Sequence, residues 1–261
     1  MKTKRKKKRS DKFLNGSGKF FIGLIIFYLL YFAVNKIIET EQDKTYIYER
    51  NDIEVTGNSI VSETKILNIC GFLKNTEGKI EIDPERTAQD LMSLPYIKGV
   101  GIKDRPPRKL SIIIEERRPI AFVYGLGLNL IDEEGFLMPI PNDDIIWDLP
   151  LITGIKQTLG KLGHATTAPP VFRALKLISY LEQENSLLLD FVSEICMDNK
   201  NYIELHLIKG GATIRINSDT FKKELFVLKN YLVNYVDWNQ LQKIEYIDLR
   251  FNKQMVIKYR A

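Results

Sequence analysis

Ser62-Glu63-Thr64-Lys65 sets a hydroxyl three residues before an ammonium, the Ser-x-x-Lys spacing in which lysine can activate a serine nucleophile for acyl transfer. That chemistry needs two further elements, and the nearest imitations here, Lys209-Gly210-Gly211 and Ser218-Asp219-Thr220, match loosely and come in the wrong order. Ser62 has a simpler use as the cap of an apolar helical stripe that begins just after it. The two histidines, His164 and His206, have no Cys or carboxylate at ligand spacing beside them. Glu115-Glu116 and Asp143-Asp144 fall at a strand end and in a Pro/Asn loop, where solvated charges are ordinary. A glycosidase would need two carboxylates converging across a cleft, which spacing alone neither gives nor excludes. Gly125-Leu126-Gly127 lacks the third glycine of a dinucleotide fingerprint and precedes a strand instead of a helix. The residues therefore imply no catalytic group, no metal and no cofactor.

Charge distribution is more informative. Of 38 Lys/Arg and 33 Asp/Glu, nine bases and one acid fall in residues 1–19, leaving 29 bases against 32 acids beyond, a net of −3. That balance excludes a nucleic-acid surface on the main body. The apolar run Phe20 to Val34 follows at once, and continuing it to Ile38 gives about 28 Å of helix, close to a hydrocarbon core of about 30 Å. Basic residues before it and Glu39, Glu41 and Asp43 after it predict a cytoplasmic N-terminus and an exported remainder. A cleaved signal peptide would need a small-x-small site, and Val34-Asn35-Lys36-Ile37-Ile38 offers none. The expected layout is a basic cytoplasmic tail (1–19), a single-pass transmembrane helix (20–38) and a linker (39–46).

Beyond the linker, Tyr46 to Gly57 reads as one strand ending on the Gly57-Asn58 turn. Val61 and Ile66 form a hydrophobic staple around a helix capped by Ser62, whose stripe includes Ile66, Leu67, Ile69 and Cys70. Asp83-Pro84-Glu85 opens a second helix that Pro95 stops. Strands Tyr96 to Asp104 and Lys109 to Glu116 complete an α+β unit, 47–118, of two helices on a three-stranded sheet. Residues 119–261 then read as a mostly antiparallel β domain with two covering helices. Its elements are Ala121 to Tyr124, Leu128 to Asp132, Gly135 to Ile140 and Leu149 to Ile155, then a helix from Pro169-Pro170. Strands Asp190 to Asp198, Tyr202 to Ile208 and Ala212 to Asn217 follow, then a helix capped by Ser218 or Asp219, then a hairpin around Asn252-Lys253. Two cysteines, Cys70 and Cys196, make no disulfide scaffold and read as small buried hydrophobes, with a single bridge between them left open.

In this order the chain resembles the bitopic cell-division proteins of the FtsQ family, called DivIB in Gram-positive bacteria. The resemblance rests on the tail, the span and the strand-helix-helix-strand-strand unit, the POTRA module. Local matches add to it: Val55-Thr56-Gly57-Asn58 with Val61-Ser62, Ile82-Asp83, Leu94-Pro95-Tyr96-Ile97-Lys98, Pro106 through Leu110 and Glu116-Arg117-Arg118-Pro119-Ile120-Ala121. Leu130-Ile131-Asp132-Glu133-Glu134-Gly135, Leu149 through Gly154 and Tyr246 through Phe251 complete them. The resemblance implies a non-enzymatic scaffold at the division septum. It would bind bitopic partners of the FtsB (DivIC) and FtsL type and other division components, and help regulate septal peptidoglycan synthesis. It also implies strand addition at the C-terminal hairpin, carried over here to Phe251, Lys253, Gln254 and Tyr259. Lys253 and Gln254 replace small family residues, and Tyr259 replaces a larger aromatic. The edge residues Met255, Val256 and Ile257 join them: the sequence stops one residue after Arg260, so the last strand is expected to remain an open edge unless an earlier strand pairs with its outer side. The alternative reading is a membrane-anchored cell-wall hydrolase or transferase.

Overall fold

A computed structural model describes residues 24–34, 46–71, 79–105, 109–125, 127–141, 145–184, 188–208, 211–235 and 241–261. Helix α1 (24–34) has every residue exposed, and no helix among the described residues is long and apolar enough to cross a membrane. The basic tail and most of the linker lie outside the described residues, as do both ends of the expected 20–38 span.

The expected strand from Tyr46 to Gly57 is two strands. β1 (Tyr46–Glu49) and β2 (Ile53–Thr56) are separated by a 3-10 turn, Arg50–Asp52. Tyr48 and Ile53 are both buried, yet an odd separation puts two residues on opposite faces of a straight strand. The chain must turn between them, and the Asp52 carboxylate accepts the Glu49 N–H to close the turn. β1 then pairs antiparallel with β3 (Lys79–Ile82), a four-residue strand too short for its alternation to stand out in sequence.

Helices α2 (Glu63–Ile69) and α3 (Pro84–Met92) begin where their caps require. The Ser62 hydroxyl accepts from Lys65 N–H at 3.4 Å, and Asp83 accepts from Glu85 and Arg86 N–H at 3.0 and 3.1 Å. They cover a three-stranded sheet ordered β2-β5-β4, in which β5 (Lys109–Glu116) runs parallel to β2 and antiparallel to β4 (Ile97–Arg105). Leu110, Ile112 and Ile114 of β5 share a core with Ile66, Leu67 and Leu91 of the helices. Glu116 is not an ordinary solvated charge. Its carboxylate accepts the successive N–H groups of Ser59, Ile60 and Val61 at 2.7–2.8 Å, and the Ser59 hydroxyl as well, tying the loop before α2 to the end of β5.

A nine-stranded mixed sheet forms the rest. Its strands are β6 (Pro119–Tyr124), β7 (Leu128–Asp132), β8 (Leu137–Met138), β9 (Leu151–Thr153), β10 (Val192–Cys196), β11 (Tyr202–Leu207), β12 (Thr213–Asn217), β13 (Ile244–Asp248) and β14 (Val256–Tyr259), in the order β14-β13-β12-β11-β10-β9-β6-β7-β8. Most neighbours are antiparallel, but β6/β9, β9/β10 and β12/β13 are parallel. Two of these junctions follow from the helices. α4 (Pro169–Gln183) crosses from β9 (Leu151–Thr153) to β10 (Val192–Cys196), and α5 (Phe221–Tyr235) from β12 (Thr213–Asn217) to β13 (Ile244–Asp248). Both helices bury their apolar stripe on one sheet face, while β11 (Tyr202–Leu207) and β12 alternate buried and half-buried residues. Thr220, not Ser218 or Asp219, stands immediately before α5; its hydroxyl donates to Glu224, and Ser218 donates to the Lys200 carbonyl.

The two sheets meet through side chains of both. Leu130 and Met138 of the long sheet are buried in the first unit's core, beside Trp147 and Leu149. Around that seam Tyr96 donates to the Pro139 carbonyl, and Lys98 pairs with Glu134 at 2.7 Å. Arg117 donates to Asp132 at 2.8 Å and to Glu134 at 3.2 Å, with its guanidinium 3.6 Å over the Phe136 ring. Cys70 and Cys196 are free thiols; Cys70 is buried, and burial pushes its thiol pKa up to about 11, whereas Cys196 is only half-buried.

Glu116 outweighs Ser62 in holding the α2 loop. Glu116→Ala strands three amides and should cost about 3 kcal/mol, while Ser62→Ala should cost about 1 kcal/mol. Chemical denaturation of both variants checks the ranking, and an equal loss would contradict it.

Candidate partner interface at the C-terminal hairpin

The hairpin of β13 and β14 (Val256–Tyr259) is set up by the residues that start its turn. Asp248 is 4 % exposed, and its carboxylate accepts from Arg250 N–H at 3.1 Å, Nε at 2.8 Å and the guanidinium NH2 at 2.6 Å. The Arg250 guanidinium lies 4.3 Å from the Tyr202 ring centroid, and its carbonyl accepts from Asn217. Burial pushes the Asp248 pKa up, but the Arg250 hydrogen bonds and the nearby positive charges more than offset this, leaving it below the ordinary carboxylate value. The turn closes with Gln254 N–H donating to the Phe251 carbonyl. Lys253 sits at φ 59°, the left-handed conformation an L side chain adopts only with support.

β14 pairs with β13 alone among the described strands and forms the end of the sheet. Arg260 N–H donates inward to the Lys243 carbonyl at 2.7 Å. Strand alternation therefore turns the Val256 and Lys258 amides toward β13 and those of Ile257 and Tyr259 toward the open edge. Met255 and Ile257 pack against the core, while Phe251, Val256 and Tyr259 are 52 %, 39 % and 58 % exposed. Tyr259 reaches Tyr231 of α5, whose phenol is raised in pKa by burial and by that neighbour. On the opposite sheet face a charged and aromatic lattice runs beside the edge. Arg215 donates to Glu204 at 2.8 Å and lies over Tyr246, and Lys258 pairs with Glu245 at 2.8 Å. Between the turn and α5 lies a groove of about 570 Å³ lined by Lys223, Val227, Arg250, Phe251, Lys253 and Met255.

All seven residues singled out from the sequence thus fall on the terminal turn or edge strand: Phe251, Lys253 and Gln254 in the turn, and Met255, Val256, Ile257 and Tyr259 along the edge. The Asp248–Arg250 clamp and the Arg215–Tyr246 contact had no assigned role in the sequence. The first was signalled only by i, i+2 spacing at a strand end; the second needs the strand pairing itself. Ser62 is occupied by capping. His206 Nδ1 lies 3.1 Å from the Thr213 hydroxyl, and His164 Nδ1 lies 3.2 Å from the Leu162 carbonyl. No three His, Cys, Asp or Glu among the described residues converge as a metal site. Asp143 and Asp144 lie outside the described residues.

Two family models match the chain. The family model for the FtsQ-type POTRA domain matches residues 50–117, and that for the C-terminal part of cell division protein FtsQ/DivIB matches 121–250. The chain is 25 % identical over 209 residues to cell division protein FtsQ of Syntrophotalea carbinolica, covering 80 % of this chain and 73 % of that one. It is 24 % identical over 215 residues to FtsQ of Geotalea daltonii, covering 82 % and 77 %. Cell division protein DivIB of Clostridium acetobutylicum is 28 % identical over 130 residues, 49 % of this chain and 51 % of that protein.

Because the folded Asp248 pKa is lowered, its contribution to stability is full above the unfolded carboxylate pKa of about 4 and is lost as pH falls through the folded value. Thermal melts from neutral pH downward should show the wild type losing stability below about pH 4. Asp248→Asn should start lower and lose less over that range; parallel profiles would contradict the clamp.

Proposed function

Because the chain belongs to the FtsQ/DivIB family of cell division proteins, we propose that it is a non-enzymatic scaffold of the division machinery. Its exported part would receive FtsB/DivIC-type and FtsL-type partners at the septum and so help regulate septal peptidoglycan synthesis. The observation that carries this reading is the outer edge of β14, which pairs with no other described strand and has two amides directed outward and apolar side chains exposed around them. An incoming strand satisfies those backbone groups, and Phe251, Val256 and Tyr259 offer it contact area. Lys253, Gln254, Met255 and Ile257 complete the proposed contact set. The proposed division of the chain is a first module at 47–118 and a partner-binding β domain at 119–261, behind a single span at 20–38.

The edge is tested without dismantling the fold. Proline at Tyr259 removes an outward amide and leaves the β13 ladder intact, whereas proline at Lys258 removes a ladder bond. Tyr259→Pro should abolish co-purification of the partner from solubilised membranes while the protein stays folded; truncation after Phe251, which also removes the core contacts of Met255 and Ile257, should abolish it as well. Undiminished recovery from a folded variant would move the site to the first module.

Topology is a separate expectation that follows from the charge asymmetry across 20–38. Alkaline phosphatase fused after Ala261 should be active and the same enzyme fused after Lys19 inactive. A mature chain beginning near Asn35 would refute the anchor.

A further inference from the structure

β14 is joined to the sheet by its ladder with β13 and by residues 249–255 between the two strands. Within that connection the Gln254 N–H closes on the Phe251 carbonyl, which shapes the tip but does not set how the tip stands against α5. Contacts from outside the hairpin must do that.

One chain of hydrogen bonds supplies them. Glu224, in the first turn of α5, accepts the Asn217 N–H on one carboxylate oxygen at 2.6 Å. Its other oxygen accepts the Asn217 side-chain NH2 at 2.8 Å and the Thr220 hydroxyl at 2.7 Å. The same NH2 donates to the Arg250 carbonyl at 3.2 Å. A carboxylate and a carbonyl can only accept, so both hydrogens of the amide are committed and its orientation is forced. Arg250 is held at its other end by Asp248 and by the Tyr202 ring, and Tyr202 is the β11 residue opposite Asn217. The bridge therefore runs from α5 through the end of β12 to the peptide that leads into Phe251. A peptide unit is planar, so holding the Arg250 carbonyl fixes where Phe251 starts. Lys223 and Val227, which form the α5 side of the groove, flank Glu224 on the helix.

We propose that Glu224 and Asn217 are positioning residues for the partner edge: they hold the hairpin turn at a set distance from α5, so that Phe251 and the start of β14 already stand where an incoming strand needs them. The inference rests on the edge reading given above and adds to it two residues outside the contact set. A turn free to swing has to be ordered at the moment of binding, and that ordering is subtracted from the affinity.

The test uses the full chain and two variants. Glu224→Gln keeps the side-chain volume but turns one acceptor into a donor facing the donors of Asn217. Amide hydrogen exchange at 251–255 should quicken by about tenfold, the factor expected for one hydrogen bond to a charged group. The FtsB/DivIC-type protein recovered from solubilised membranes should fall by a similar factor. The swapped pair, Asn217→Asp with Glu224→Gln, restores a hydrogen bond between the two side chains and keeps the net charge, but a carboxylate at 217 cannot donate to the Arg250 carbonyl. Its melting temperature should return toward that of the wild type while fast exchange and low recovery persist. A swapped pair that cures both would make the network a general stabiliser and overturn the inference, as would unchanged exchange at 251–255 in Glu224→Gln. If exchange quickens and recovery is undiminished, Tyr259→Pro separates the two failures: recovery lost in that variant overturns the positioning role alone, and recovery kept overturns the edge reading with it.

Discussion

A β-sheet that does not close on itself leaves a row of backbone N–H and C=O groups at each end, and those groups must be satisfied. The nine-stranded sheet meets this requirement differently at its two ends. At β8 the chain folds back on itself. Leu137 N–H donates to the His164 carbonyl, Gly163 N–H to the Leu137 carbonyl, and Phe136 bridges to Ala165. At β14 no described segment does this. The difference in treatment, more than any single side chain, distinguishes the candidate interface from the rest of the surface.

The sealed end is also the joined end. Leu130 and Met138, fully buried, belong by chain to the long sheet and by packing to the first unit. Exposing either would forfeit about 2 kcal/mol or more of burial. The polar contacts around them are directional. Arg117 is held by Asp132, Glu134 and the Phe136 ring together, which fixes the turn at 132–136 against the end of β5, while Lys98 ties Glu134 to β4. The Asp132 carboxylate meanwhile accepts Glu134 and Phe136 N–H at 3.0 and 2.8 Å, shaping that turn from within.

Much of this was legible in the sequence where local chemistry is decisive. Asp83-Pro84-Glu85 carries a cap, an N1 proline and a first-turn acid together, and Leu110, Ile112 and Ile114 alternate with Lys109, Ser111 and Glu115 along a half-buried strand. The single strand drawn from Tyr46 to Gly57 failed because its two buried residues are an odd number apart, a conflict visible only when both are known to be buried. β3 was missed because four residues carry too little alternation. The parallel junctions followed from where α4 and α5 cross, which is topology and not periodicity. Of the candidate interface, the residues of the edge were readable, but the clamp that shapes its turn was not. The role of Glu116 is hidden for the same reason. A carboxylate that gathers three amides from residues more than fifty positions away looks, in sequence, like any other acid at a strand end.

The seam between the units bears on how such chains can be recombined. The two family models meet between residues 117 and 121, which invites the view of two interchangeable parts. A graft made there would separate Arg117 from Asp132 and would carry Leu130, Met138, Trp147 and Leu149 away from the core they fill. A first module transplanted alone would arrive with a hollow, and a foreign one would meet side chains shaped for another surface. The heritable piece is therefore larger than either part: it is the first module together with β7, β8 and the segment to Leu149, and natural or engineered chimeras should respect that boundary.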